Sequence, residues 1–139
     1  MAIERLGAFI RAKKSPFKGG RVGGATFSIG AEDTNAITVS VQLLGQSGKE
    51  LAQRGFVHWF LSDDANGDSL VTTAVSGGVA GGTDGWVSSD VTGKRGVAVS
   101  EADGDIDFVL THSGAKEVYL VIVDDYGNFN VSGLITFAA

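Results

Sequence analysis

The sequence predicts an all-β fold, an antiparallel sandwich of the Greek-key kind carrying an extended or partly helical N-terminal arm. Three observations lead there. Val118-Tyr119-Leu120-Val121-Ile122-Val123 is an unbroken apolar run, too short for an ordinary helix and about right for one buried strand. Asp124-Asp125-Tyr126-Gly127-Asn128 then supplies turn residues, and a strand-like run from Val131 to Phe137 returns, which reads as a β-hairpin. Composition agrees: 21 glycines against one proline, with 43% hydrophobic residues, suit several short strands joined by turns rather than disorder. At 139 residues the chain accommodates one domain and a tail.

The tail is residues 1–35. Ile3, Leu6, Phe9 and Ile10 recur at near-helical spacing, with Arg5, Arg11, Lys13 and Lys14 largely elsewhere on the wheel. Ser15-Pro16 and glycines 19, 20, 23 and 24 then break regular structure. Residues 1–21 hold six Lys or Arg against one Glu, a net +5, while the remainder holds five against fifteen acids, a net −10. The molecule is a cationic arm on an anionic body.

The body is residues 36–139. Ile37, Val39, Val41 and Leu43 alternate with polar residues, as in a strand with one buried face. Gly45-Gln46-Ser47-Gly48-Lys49 is a loop. From Phe56 to Leu61 both parities are apolar: Phe56 and Phe60 flank His58 on one face, and Val57, Trp59 and Leu61 lie on the other. A polar turn, Ser62 to Asp68, leads to an expected strand from Leu70 to Val75. Glycines 77, 78, 81, 82, 85, 93 and 96 make the next stretch a long excursion or short strands near Trp86-Val87 and Val97-Val99. Ala102-Asp103-Gly104 turns the chain into a strand from Asp105 to Thr111, with Ile106, Phe108 and Leu110 on one side.

No catalytic, cofactor or metal site is expected. Asp64 to Asp68 opens like a calcium loop, but position 6 is Ser69 and position 12 is Val75, where the motif needs Gly and Glu. Glu101, Asp103, Asp105 and Asp107 share a parity, yet Gly104 is expected to turn the chain between them. His58 and His112 fall in or beside different strands without zinc-ligand spacing, and there is no Cys. Gly45 to Lys49 fails the nucleophile-elbow pattern at its fifth residue, and no glycine run has phosphate-loop spacing. Nucleic acid is a poor partner for a body of −10, and Phe9 and Phe17 are too few for a stacking platform. No apolar run approaches a membrane span and no apolar signal-peptide core is present, so neither membrane nor export is expected.

The pattern of residues 36–138 resembles a known family. Ile37 to Leu61, with a Gly-containing loop and a second strand entered through Arg54-Gly55, is similar to the opening of bacterial immunoglobulin-like domains of the invasin type. Glu101-Ala102-Asp103-Gly104, the 106/108/110 alternation and Val118 to Val123 are similar to their closing half. Single domains with such strands and an Asp-Asp-Ala-Asn-Gly-Asp turn, as at 63–68, also resemble small structural proteins of tailed bacteriophages. The lack of a signal peptide and of tandem repeats fits that setting better than a surface adhesin. The resemblance implies an immunoglobulin-like sandwich and a non-enzymatic capsid decoration or cement protein, made in the host cytoplasm and placed on the capsid surface. Its partners would be the major capsid protein and further copies of itself, a trimer being expected. Apolar residues on both faces of strands 56–61 and 118–123 point to a covered outer surface. The expected partner-binding residues are Ile3, Leu6, Phe9, Arg11, Lys13, Lys14 and Phe17 in the arm, with Phe56, Trp59 and Trp86 on the body. A carbohydrate- or receptor-binding module using Trp86, or a tail or neck connector, is the alternative.

Overall fold

The computed structural model describes residues 21–139; residues 1–20, with the arm positions Ile3, Leu6, Phe9, Arg11, Lys13, Lys14 and Phe17, lie outside the described residues. The described chain is all-β with no helix. Its strands are β1 (Gly24–Ile29), β2 (Ala36–Leu44), β3 (Phe56–Ser62), β4 (Val79–Gly81), β5 (Trp86–Val91), β6 (Arg95–Val99), β7 (Asp105–Thr111), β8 (Lys116–Val123), β9 (Phe129–Val131) and β10 (Ile135–Phe137). Every pairing is antiparallel. Sheet I has the order β1-β2-β7-β4; sheet II has β10-β8-β3-β6-β5, with β9 also on β8.

Alternation along the strands builds one core between the sheets. Sheet I contributes Ile37, Val39, Val41 and Leu43 from β2 and Ile106, Phe108 and Leu110 from β7. Sheet II contributes Val57, Trp59 and Leu61 from β3 and Val118, Leu120 and Ile122 from β8. Trp59 meets Phe108 edge to face at 5.9 Å, tying the two layers at the centre of a β-sandwich.

Three local expectations are corrected. Residues 24–29, read as part of the 1–35 arm, form β1, paired along its own length with Val39 to Leu44 of β2, so ordered sheet begins before residue 36. The joining turn places Thr34 and Asn35 at positive φ, between reciprocal backbone bonds of Asp33 and Ala36, which matches the twist of the flanking strands. Residues 70–75 are not a strand. Only Leu70 bridges to Ser62, while Val71 and Val75 turn inward and the Asp63 carboxylate accepts from both the backbone N–H and the hydroxyl of Thr72. The run 131–137 is two strands instead of one. Ser132 interrupts it, its N–H donating to the Leu120 carbonyl and its Oγ accepting the Leu120 N–H at 2.9 Å. The hairpin survives because that hydroxyl substitutes for a ladder acceptor.

Candidate interaction surface

The outward side chains of sheet II follow from the register. One row across the strands is Trp86, Val99 and Phe56. The next is Ser88, Val97, His58, Val123 and Phe129. A third is Val91, Arg95, Phe60, Val121 and Val131. Most of these positions are apolar on the side that faces away from the core. Trp86 is 58% exposed, Phe56 53% and Phe129 49%. Phe129 stands edge-on to Phe60 at 5.3 Å and Phe56 edge-on to His58 at 5.7 Å. Aromatic side chains bring the largest transferable area per residue, so leaving them in water costs more than leaving scattered aliphatics there.

One corner of this face is covered by the chain itself. The loop 62–70 folds over β8 and β9, bringing Gly67 against Val131 and Val121; a Cβ at Gly67 would lie 2.5 Å from the Val131 side chain. Val121 is fully buried for that reason, although its side chain points out of the sheet. The loop is held by its own carboxylates: Asp64 Oδ1 accepts the Asn66 N–H at 2.6 Å, and Gly67 takes φ +74. Both features close the turn. Beyond the loop the face opens into a groove of about 350 Å³ lined by His58, Phe60, Asp68, Asp90, Arg95 and Phe129.

Of the expected body residues, Phe56 and Trp86 meet on this face through Val99. Trp59 does not, and its assignment to an interface is corrected. It is 1% exposed in the core, and its Nε1 donates to the carbonyls of Ser88 and Val97, both at 3.2 Å. The indole is opposite Gly96, whose missing side chain lets β5 and β6 close; a Cβ there would sit 1.9 Å from the Ser88 carbonyl oxygen. With both parities of 56–61 apolar, the sequence pattern leaves the inward set undecided, whereas the glycine partner marks where a large ring fits. Phe60, expected beside His58 on one face of 56–61, and Phe129 are not among the expected partner-binding residues, and the structure brings both to this face. Their signal was available in the hairpin: Phe129 follows the 124–128 turn directly and is opposite Val123.

The other chemistry-bearing residues are dispersed. His112 Nδ1 accepts the Ser76 N–H at 3.0 Å and its ring packs on Phe137, a hydrogen-bonded, packed histidine. Gly104, at φ +85, turns the chain between Glu101 and Asp105. Glu101, Asp103, Asp105 and Asp84 thereby crowd at one end of sheet I. A hydrogen bond with the Asp84 carboxyl, then loss of solvent and repulsion from Asp84, Asp103 and Asp105, raise the Glu101 carboxyl above its ordinary value. Asp105 is raised by loss of solvent first and by Asp103 next. Among the described residues no group of three or more His, Cys, Asp or Glu side chains is arranged to hold a metal ion.

Comparison with protein-family models, with curated proteins and with solved structures finds no match to this chain.

Proposed function

We propose that this chain is a non-enzymatic structural protein of a tailed-phage virion, an immunoglobulin-like decoration or cement protein. In this reading the basic, apolar arm engages the major capsid protein, and the outer face of sheet II packs against neighbouring copies in a homo-oligomer, a trimer being the simplest closed ring of more than two. The observation that carries it is the aromatic face itself. A sandwich needs only one buried face per sheet, so a second apolar face on sheet II favours assembly. The strand order supports the immunoglobulin-like part. β1-β2-β7-β4 against β10-β8-β3 has the arrangement of strands ABED against GFC, although the β5–β6 hairpin beside β3 follows β4 in the chain instead of preceding it.

The test is cosedimentation with purified capsid shells. Removing residues 1–20 is expected to abolish shell binding with the β circular-dichroism signal unchanged; undiminished binding would remove the arm from the interface. The groove favours a second reading, recognition of a carbohydrate. Phe60 and Phe129 offer ring faces beside the carboxylates of Asp68 and Asp90 and the Arg95 guanidinium, the mixture of apolar walls and few polar groups found in ligand sites. A glycan-array signal lost in Arg95→Ala would select this reading over the decoration role. Trp86 lies outside the groove lining, so Trp86→Ala is expected to spare such a signal.

A further inference from the structure

We propose that residues 1–20 of the same molecule lie across the outer face of sheet II and cover it while the protein is free in solution. This goes beyond the shell-binding reading, because it gives the arm a second seat and makes the aromatic face conditional on where the arm is.

The root of the arm points to that seat. The Val22 N–H donates to Asp125 Oδ2 at 2.7 Å, and the Asp125 N–H donates back to the Val22 carbonyl at 2.9 Å. Asp125 follows β8 by two residues, at the end of sheet II. Val22 also packs on Gly55, where a Cβ would lie 2.9 Å from its side chain, and Gly55 adjoins Phe56. The chain therefore leaves the described body beside the first row of the aromatic face. Twenty residues reach at most about 65–70 Å, while six residues of β strand cover roughly 20 Å, so length is no obstacle.

Composition and charge fit the same seat. Residues 1–20 supply Ile3, Leu6, Phe9, Ile10 and Phe17 as apolar groups, and five cations against one carboxylate. The groove in the face offers Phe60 and Phe129 as walls and two carboxylates, Asp68 and Asp90, against one guanidinium. Sheet edges are a poorer seat. β1 runs beside β9, with Gly24 against the Asn130 side chain; β4 runs beside β5, with Gly81 near Val87; and Glu32 caps the chain after β10 by accepting the Ala138 N–H at 2.8 Å. Covalent attachment holds the arm near its own face at an effective concentration of roughly millimolar, above that of a second copy in dilute solution.

Acrylamide quenching of tryptophan fluorescence tests this in the full chain. Trp59 is buried, so the quenchable signal is that of Trp86, and Trp86→Phe identifies it. The expected result is weak quenching at every dilution with a monomeric mass by light scattering. In the full chain carrying Leu6→Ser, Phe9→Ser, Ile10→Ser and Phe17→Ser together, quenching should rise severalfold. Equal quenching in the two proteins overturns the proposal. So does shielding that disappears on dilution together with a fall in mass, which would make a second copy the occupant. Shell cosedimentation of the same proteins separates this from the decoration role: a shielded Trp86 in a parent that binds no shell supports the cover and removes that role, whereas shell binding with an unshielded Trp86 does the reverse.

Discussion

The two sheets share a core but present opposite faces to their surroundings. The outer face of sheet I carries Leu44 and Val109 among Thr26, Ser28, Thr38, Ser40, Gln42, Asp105 and Asp107, and its polar side chains are hydrogen-bonded: Ser40 Oγ donates to Asp107 Oδ1 at 3.0 Å, and Gln42 Nε2 donates to the backbone carbonyls of Leu43 and Asp103, both at 2.9 Å. The outer face of sheet II sets Ser88, His58 and Arg95 among Trp86, Val99, Phe56, Val97, Val123, Phe129 and Phe60. One face is finished by solvent, while the other is covered by a loop at one corner and leaves Trp86, Phe56 and Phe129 exposed over the rest. Burial of the inner residues therefore says nothing about role here, because both sheets satisfy it equally. The difference between the outer faces is where function is to be sought.

Perturbing the framework of sheet II should have the largest effect. Trp59 fills the core against Phe108 and hydrogen-bonds β5 and β6 over Gly96. Trp59→Ala is expected to cost about 3–5 kcal/mol, measured by urea unfolding, as for other large aromatic truncations in cores. Trp86→Ala, the same substitution on the outer face, should change stability by no more than about 0.5 kcal/mol in the chain without residues 1–20, where nothing covers it. Similar losses at both positions would show that the outer face is as tightly packed as the inner one.

The loop over Val121 and Val131 comes next. Gly67→Ala places a Cβ at a positive φ and against the Val131 side chain, so the loop must lift or strain, at about 1–3 kcal/mol. Lifting it lengthens the apolar face, and binding of a hydrophobic dye should increase. An unchanged dye signal with lowered stability would mean that the strain is absorbed without uncovering Val121. A smaller effect is expected from Phe56→Ser with Phe129→Ser: near-native stability, reduced dye binding and loss of any self-association at high concentration. The matched changes Thr38→Ala and Thr26→Ala on sheet I should leave dye binding and association alone.

How much of this was legible depended on whether a residue's partner was near in the pattern. The strand 105–111 emerges at the expected bounds because Ile106, Phe108 and Leu110 alternate strictly between turns. The hairpin 118–137 is equally plain, since Asp124 accepts N–H bonds from Tyr126 and Asn128 and Gly127 takes φ +78, local events that local residues specify. β1 was present as the alternation of Ala25, Phe27 and Ile29 with Thr26 and Ser28, but flanking glycines and a turn made of Thr34-Asn35, not Asn-Gly, concealed it. The segment 70–75 misled because Val71 and Val75 are buried as plugs at four-residue spacing, without a strand partner. The candidate face was legible in part, through Phe56, Trp86 and the doubly apolar strands 56–61 and 118–123, but which parity of β3 points inward, and that Gly67 rests on Val121, are decided by contacts between segments far apart in the chain.

The smallest effect concerns the polar face and distinguishes its carboxylate cluster from an ordinary acidic surface. Glu101 and Asp105 hold protons more tightly in the folded chain than the ordinary values of 4.5 and 3.8. Between each ordinary value and its raised counterpart the folded state binds more protons than the unfolded state, so stability from this source falls as pH rises and is greater on the acid side of that window. Asp84→Asn removes the carboxyl that leads the shift of Glu101 and can donate a hydrogen bond to the Glu101 carboxylate in return, while the bonds of the residue 84 backbone stay intact, its N–H donating to the Asp107 carboxylate and its carbonyl accepting the Asp107 N–H. The expected outcome is a rise in Tm at neutral pH of no more than about 2 °C, vanishing as the pH approaches 4. Subtracting the parent's Tm profile from that of the variant cancels the titration of carboxylates elsewhere. A difference constant with pH would mean that the Asp84 carboxyl does not raise Glu101, and that the two outer faces differ in polarity but not in electrostatic strain.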